Sequence, residues 1–351
     1  MAEQDHALWQ QIIQAAIQCE ASDIHLTARQ RVHFRVAGTL SPFSDIVLAE
    51  GFLSAQLQAL LDDSQRTQLQ AERALDFSCC MLGRRFRGNA YYQQGVLALA
   101  LRLLPNRIPT LDELQAPRAL FSLLAADHGL VLVCGPVGSG KTTTLAAFLD
   151  AVNHRRAAHI ITLEDPLEYI FTPACCFISQ RELGRDFSSF PLALRSALRE
   201  APDIILVGEI RDQETLRTAL MAAAAGILVL GTLHTRSAVD AVSRMEGMFP
   251  SGQQASVRAQ VADVLTGVFA QRLLPCQQGG RVCMAEVLLT EPAVRNLIRQ
   301  GKYMQLESIM LSHQQDGMQT RSMAVDRLYQ DGMISHETRE RFRSPATGDR
   351  L

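Results

Sequence analysis

The chain contains a glycine-rich segment, Gly135-Pro136-Val137-Gly138-Ser139-Gly140-Lys141-Thr142. The apolar run GLVLVC precedes this segment at residues 129–134, and the helix-forming run TTLAAFL follows it at 143–149. A strand, a glycine loop and a helix in this order are typical of a phosphate-binding loop, in which backbone N–H groups and the helix N-terminus surround a polyphosphate. We expect Lys141 to reach the phosphates and the Thr142 hydroxyl to bind Mg²⁺. The alternative is a glycine-rich turn that binds no ligand.

Length and composition predict a globular chain of two or three domains. The 351 residues are 47% hydrophobic, which is enough to bury a large core. The 34 basic and 36 acidic residues give a net charge of −2, which favours a protein partner over nucleic acid. The eight cysteines include no C-x-x-C pair, so we expect a reducing cytosol and neither a disulfide framework nor a zinc ribbon.

The sequence predicts no membrane-spanning segment. The first residues, MAEQDHALWQQIIQAA, lack the basic start of a signal peptide and predict an amphipathic helix. The most apolar run, residues 218–233, is shorter than a bilayer span and contains glycine, so we expect a helix followed by a buried strand. Membrane association is therefore expected only through a partner.

Patterning divides the chain into four parts. Residues 1–104 predict a small α+β domain with a meander of strands, and the proline-bracketed residues 105–117 predict a linker. Residues 118–290 alternate apolar strands with helices, which predicts an α/β domain with a mostly parallel sheet. Residues 291–351 predict a helical region, with a polar tail at 344–351 that frays.

The pattern also predicts the residue ranges of the individual helices and strands. In the first domain we expect one helix at 52–70 and strands at 21–27, 33–40, 74–81, 85–93 and 96–104. In the α/β domain we expect a helix near 118–126, strands at 130–134, 159–163, 204–207 and 227–232, and beyond residue 250 mainly helices with one hairpin arm at 281–289. The last predicted helices are at 292–300, 319–331 and 335–343.

Carboxylates follow two of the predicted strands. Glu164, Asp165 and Glu168 come after one apolar run, and Glu209 ends another. Because ligands of parallel sheets bind at the carboxyl ends of the strands, these side chains are candidates for serving a metal-bound nucleotide. The alternative for each group is a solvated loop or a surface ion pair.

Several motifs together resemble the secretion ATPase superfamily, and within it the retraction ATPases of type IV pili. The motifs are ASDIHL at 21–26, EDPLE at 164–168, QRELG at 180–184, LRSALRE at 194–200, GEIRD at 208–212, GTLHT at 231–235, AVRNLIR at 293–299 and DGMQT at 316–320. The resemblance covers nearly the whole chain. It implies an α/β protein in which a PAS-like N-terminal domain is joined by a linker to a RecA-like P-loop ATPase domain with a helical C-terminal part.

The resemblance also implies roles for single residues. Glu168 matches a catalytic glutamate that polarises the attacking water, Glu209 an acidic residue beside Mg²⁺, and His234 a sensor of the γ-phosphate. Arg87 and Arg102 match arginine fingers supplied by the N-terminal domain. The alternatives are a structural histidine and solvent-facing arginines. The expected nucleotide contacts are Gly135, Pro136, Val137, Gly138, Ser139, Gly140, Lys141, Thr142, Thr143, Glu164 and Asp165, and the expected metal ligands are Thr142 and Glu209.

The function that the resemblance implies is an ATP-hydrolysing homo-hexamer that powers pilus retraction. Such a ring would work at the cytoplasmic face of the inner membrane, held there by a platform protein. The alternatives are an assembly ATPase of type II secretion or pilus extension, and a catalytically weak paralogue in a mixed ring. Cys276 and Cys283 are too few for the four-cysteine metal site that many assembly ATPases carry, which favours the retraction branch.

One segment departs from the family's pattern. The family typically has A-E-T-G-H before its buried strand, whereas this chain has Ala223-Ala224-Ala225-Gly226-Ile227. The Glu, the Thr and the His are therefore absent. Two interpretations remain open: apolar packing substitutes for these residues, or the activity is weakened.

Overall fold

The structure is a computed structural model that describes residues 2–343. The chain divides into two compact units between Arg107 and Ile108, here called unit 1 and unit 2. The tail expected to fray, residues 344–351, lies outside the described residues. The bounds of the linker and of the helical C-terminal region remain predictions.

Unit 1 is built on a six-stranded antiparallel sheet. Its core is formed where Ile24 and Leu26, alternate residues of one strand, face Ile12 and Ile13 of the first helix. In sheet order the strands are β3 (Thr39–Val47), β2 (Arg31–Val36), β1 (Asp23–Thr27), β6 (Val96–Leu103), β5 (Arg84–Gln93) and β4 (Ala74–Met81). The helices are α1 (Ala2–Gln18), α2 (Phe52–Leu60) and α3 (Asp63–Glu72).

Two expectations for unit 1 were wrong. The single helix expected at 52–70 is two helices, because Asp62 caps α3: its carboxylate accepts a hydrogen bond from the Gln65 N–H, and the Gln65 side chain accepts one from the Asp62 N–H. The strand expected to end at residue 40 is a pair, β2 and β3. β3 was missed because it lies at the edge of the sheet and has no buried residue, so its sequence carries no apolar alternation.

Unit 2 is built on a seven-stranded sheet with apolar clusters on both faces. Leu130 and Leu132 pack into one cluster, and Val131 and Val133 pack into the other. In sheet order the strands are β13 (Arg281–Leu289), β12 (Leu265–Pro275), β7 (Gly129–Cys134), β11 (Leu228–Leu233), β10 (Ile204–Val207), β8 (His159–Glu164) and β9 (Phe177–Glu182). All neighbouring strands are parallel except β12 and β13.

The helices of unit 2 alternate with these strands at first, and the last helices follow β13. They are α4 (Arg118–Ser122), α5 (Lys141–Asn153), α6 (Phe190–Ala197), α7 (Gln213–Ala224), α8 (Ala238–Gly247), α9 (Ser251–Val264), α10 (Pro292–Gln300), α11 (Leu306–Ser312), α12 (Arg321–Gln330) and α13 (His336–Arg343). The prediction that a helix is followed by a buried strand at residues 218–233 is confirmed by α7 and by β11, which is fully buried. Within residues 2–343, no helix combines the length and the hydropathy needed to cross a bilayer.

The predicted α/β pattern is confirmed, with two strands missed. β7, β8, β10, β11 and β13 lie within two residues of their expected positions. β12 was expected to be helical, because α9 runs into it at Leu265 without a turn residue to mark the change. β9 was missed because it is a mostly polar strand at the sheet edge.

The sheet register brings the sequence-predicted groups to one edge. Cys134, the last residue of β7, pairs with Leu233 of β11, and Leu163 of β8 pairs with Val207 of β10. The residues that follow these four strands therefore leave the sheet at the same carboxyl edge. This edge is where ligands of parallel sheets bind.

Candidate nucleotide-binding site

The glycine loop has the backbone that a phosphate-binding loop needs. A Cβ on Gly135 would lie 2.3 Å from the Gln271 carbonyl oxygen and 2.5 Å from Ser139 Oγ, so no side chain fits at this position. Gly138 has a φ of +77°, a conformation that L side chains rarely adopt, and a Cβ there would meet nothing within 4 Å. The loop therefore packs against β12 at Gly135 and has open space beside Gly138.

Two side chains of the loop fit a bound polyphosphate. The Lys141 ammonium is buried and donates hydrogen bonds to the carbonyl oxygens of Gly135, at 2.9 Å, and Pro136, at 3.0 Å. Ser139 Oγ is buried and has no hydrogen-bond partner among the described residues. A buried hydroxyl without a partner is costly, and phosphate oxygens would satisfy it.

Glu209 and His234 meet beside the loop lysine. His234 Nε2 lies 3.2 Å from Glu209 Oε1, and His234 Nδ1 lies 3.5 Å from Lys141 Nζ. Burial tends to raise the pKa of Glu209, but its hydrogen bond to Arg211, at 2.7 Å, and the neighbouring His234 outweigh burial and lower this pKa. Glu209 is therefore held as a carboxylate, the form that a cation requires.

The segment that carries Glu168 is fixed by β9. The Gln180 side chain donates to the Tyr169 carbonyl at 2.8 Å and accepts from the Phe171 N–H at 2.9 Å. On the other side of Glu168, the Leu167 N–H donates to the Glu182 carboxylate at 3.3 Å. Both neighbours of Glu168 are therefore anchored to the same strand.

The remaining acidic residues and the threonines differ in exposure. Glu164 is buried at the end of β8, whereas Asp165 is exposed and lies 4.0 Å from Arg211. Thr142 and Thr143 are half-buried in the first turn of α5. Glu168 is half-buried, and its charge acts on Lys141. Unit 2 thus carries every expected nucleotide and metal contact, and it places His234 next to both Lys141 and Glu209.

Arg87 and Arg102 belong to unit 1. They stand directly opposite each other on β5 and β6, and both are exposed. Arg102 Nε lies 2.8 Å from Asp23 Oδ1, and Arg35 Nε lies 3.6 Å from the other oxygen of Asp23. The Asp23 carboxylate therefore lies in one cross-strand row with three arginines, Arg35, Arg102 and Arg87.

The departures at residues 223–227 lie away from the loop. Ala224 ends α7, Ala225 follows it as the C-cap, and Ile227 precedes β11. β11 has six residues and runs parallel to β7, so these positions lie at the opposite edge of the sheet, about 20 Å from His234. Ala224 and Ala225 are exposed.

The structure also shows residues that the sequence did not single out. Gln271 of β12 donates from Nε2 to the Ser139 carbonyl at 2.8 Å and so supports the loop. Arg211 pairs with Glu209, and Gln180 anchors the Glu168 segment. Gln180 and Arg211 lie within motifs that carry the family resemblance, but Gln271 sits in the strand that was missed. No local pattern marks it.

Comparison with known proteins agrees with this geometry. The family model of the type II/IV secretion system protein matches residues 3–339. The protein YggR of Escherichia coli K12 is 44% identical over 314 residues, which cover 89% of this chain and 95% of YggR. The type IV pilus retraction ATPase PilT of Pseudomonas aeruginosa is 41% identical over 327 residues, which cover 93% of this chain and 95% of PilT.

A solved structure gives the same result in three dimensions. The crystal structure of the pilus retraction motor PilT with bound ADP matches with a TM-score of 0.90 at 42% identity, and the match covers 96% of each chain. The RecA-like fold expected from the sequence is thereby confirmed. The chain belongs to the type II/IV secretion system protein family, and within it the chain is a PilT-like ATPase.

Proposed function

We propose that this chain is the ATP-driven motor of type IV pilus retraction, with the catalytic roles assigned below. The observation that carries the proposal is the convergence of Lys141, Glu209 and His234 beside the glycine loop, with His234 within 3.5 Å of both partners. Phosphoryl transfer depends mainly on positioning and on charge neutralisation, and these three groups supply both.

Each group has a distinct role in the proposed reaction. Lys141 and the loop N–H groups hold the β- and γ-phosphates, and Glu168 orients and polarises the attacking water. The His234 ring contacts the γ-phosphate from the side of Glu209. Thr142 and Glu209 would hold Mg²⁺, which neutralises charge on the phosphates when bound.

The assembly and its surroundings follow from the same proposal. Six copies form a ring in which Arg87 and Arg102 reach the transferred phosphate as arginine fingers. The ring works at the cytoplasmic face of the inner membrane, where a platform protein of the pilus machine holds it. A second, related ATPase is a candidate partner, because Pseudomonas aeruginosa carries both PilT and a second relative of this chain, the type IV pilus ATPase PilU, which is 34% identical to this chain over 331 residues.

The test is Mg²⁺-dependent ATP hydrolysis by the purified full chain, with light scattering on the same samples. We expect turnover in a hexamer that Lys141→Ala and Glu168→Gln both abolish. The matched control is Glu214→Gln, which changes an exposed glutamate paired with Arg195 and should leave turnover intact. ATP binding without turnover would overturn the motor and favour a regulatory paralogue.

Retraction itself needs a cellular test. The gene is expressed in a type IV piliated strain that lacks its own retraction ATPase, and twitching motility is measured. Restored motility supports retraction, whereas turnover in vitro without restored motility, despite normal protein levels, would favour an assembly motor.

A further inference from the structure

A buried ion pair joins the C-terminal helices of unit 2 to its sheet. Arg321 Nε lies 2.9 Å from Glu286 Oε1, and each side chain is only 8% exposed. Glu286 lies on β13, and Arg321 is the first residue of α12. Neither residue belongs to the nucleotide contacts described above.

The pair also binds the loop that follows His234. The second oxygen of Glu286 accepts a hydrogen bond from the Ala238 N–H at 3.1 Å, and Arg321 Nη2 donates to the Arg236 carbonyl at 2.8 Å. These two contacts fix the backbone from Arg236, in the connection between β11 and α8, to Ala238, the first residue of α8. His234 is only two residues away from the nearer contact.

The sheet register places the pair level with this loop. Leu233, Cys134, Ala270 and Glu286 form a cross-strand row through β11, β7, β12 and β13. Glu286 therefore lies in the same cross-strand row as Leu233, the residue that precedes His234, with β12 and β7 between them. Only two peptide units separate His234 from Arg236, so fixing the Arg236 carbonyl limits the positions that the His234 backbone can take.

The segment that precedes Arg321 is held in place by hydrogen bonds to β13. Gln319 exchanges two backbone hydrogen bonds with Val287, at 2.8 and 3.0 Å, and its side chain donates to the Ala285 carbonyl at 2.6 Å. The segment before α12 is thus attached to β13 on both sides of Glu286. The position of this segment therefore depends on both β13 and α12.

Stability alone does not account for this pair. Burying two charges removes them from water, and the mutual attraction often fails to repay that cost. Here burial raises the pKa of Glu286 even though Arg321 lies beside it. A buried ion pair is therefore weak evidence of stabilisation, whereas the hydrogen bonds of this pair to residues 236 and 238 show which backbone it positions.

We propose that Arg321 and Glu286 are positioning residues that hold the loop after His234, so that the His234 ring faces the γ-phosphate. The inference rests on the proposed role of His234 as the γ-phosphate sensor. Through the same contacts, the start of α12 is coupled to the nucleotide state. A displacement of α12 would release the loop and weaken discrimination between ATP and ADP.

The test measures nucleotide preference, which does not depend on turnover. The dissociation constants of ADP and of adenylyl imidodiphosphate, a non-hydrolysable ATP analogue, are measured for the full chain and for Arg321→Met. We expect the preference for the analogue to fall about ten-fold, the scale of one lost charge-assisted hydrogen bond, while ADP affinity is unchanged. The matched control is Arg339→Met, which removes a 2.6 Å pair with Asp326 in the same helices and should leave the preference intact.

A double-mutant cycle separates positioning from general destabilisation. If Arg321 acts through His234, adding Arg321→Met to His234→Ala should cause no further loss of preference. If the two losses multiply, or if folded Arg321→Met keeps the full preference, the inference is wrong. Should Arg321→Met fail to fold, Glu286→Gln/Arg321→Met leaves no buried charge and is judged by the same criteria.

The two proposals fail in different ways. If His234→Ala alone keeps the full preference, the sensor role of His234 is wrong, and the positioning role falls with it. If His234→Ala lowers the preference and folded Arg321→Met does not, only the positioning role is wrong.

Discussion

The Thr143 hydroxyl lies 3.1 Å from the Tyr169 hydroxyl, within hydrogen-bond distance. Thr143 is in the first turn of α5, next to the proposed metal ligand Thr142, and Tyr169 is buried next to Glu168. Burial raises the pKa of Tyr169, so the phenol stays protonated at neutral pH. The first turn of the helix that follows the glycine loop and the segment that carries the proposed catalytic glutamate are therefore joined directly.

Removing this link should slow hydrolysis without weakening nucleotide binding. In Tyr169→Phe the ring remains packed but the contact to Thr143 is lost, and one neutral hydrogen bond is worth about 1 kcal/mol. We expect kcat to fall about five-fold with an unchanged dissociation constant for ATP, measured by steady-state hydrolysis and by nucleotide titration. The control is Tyr303→Phe, which removes a hydroxyl bonded to Glu246. An equal effect in both variants would contradict a specific role of Tyr169.

ATP affinity should decline at alkaline pH because of Lys141. Burial lowers the pKa of its ammonium below the ordinary value of 10.5, although the charges of Glu209 and Glu168 raise it. A neutral amine attracts phosphate poorly, so affinity is complete below the lowered pKa and is lost as the pH rises through it. We expect the dissociation constant of adenylyl imidodiphosphate to increase as the pH rises from neutral toward the ordinary lysine pKa of 10.5.

The control for this pH dependence is Lys141→Arg. A guanidinium remains charged throughout this range, so the alkaline decline should disappear even if the affinity itself is lower. Lys302→Arg, at an exposed lysine, should keep the decline of the unmodified protein. A flat profile for the unmodified protein, or a decline that persists in Lys141→Arg, would show that another group titrates.

The arginine-finger role of unit 1 predicts separate effects on binding and turnover. In Arg87→Ala and in Arg102→Ala we expect turnover to fall by about 10³-fold or more with ATP affinity retained, since a finger stabilises the transition state. Arg29→Ala is the control, because Arg29 is an exposed arginine of the same unit, paired with Glu50. Unchanged turnover in either finger variant would remove that residue from the mechanism.

The departures from the A-E-T-G-H pattern should not affect nucleotide binding by the same chain. Ala224, Ala225 and Ile227 lie at the edge of the sheet opposite to the glycine loop. We therefore expect Ala224→Glu/Ala225→Thr/Ile227→His to bind ADP and adenylyl imidodiphosphate within two-fold of the unmodified protein, about 0.4 kcal/mol. A larger change, measured by titration, would show that this edge of the sheet is linked to the loop.

Much of the site could be predicted because its signals are local. The glycine loop, Lys141 and Thr142 are contiguous, and the carboxylates at Glu164 and Glu209 each end an apolar run. The support for these groups could not be predicted in the same way. Gln271 is 132 positions away from Ser139 in the chain. It reaches the loop from β12, a strand that has no turn before it.

The glycine loop, the order of strands and helices around it and the family follow from the amino-acid sequence alone, because local spacing and apolar periodicity carry that information. Which side chains support the loop and which face away from it depends on how the strands pair in three dimensions. The parallel register brings His234 to Lys141 and Glu209, although they are distant in the chain, and sends residues 223–227 to the opposite edge. Such proximity arises from strand pairing between remote segments, and no local pattern encodes it.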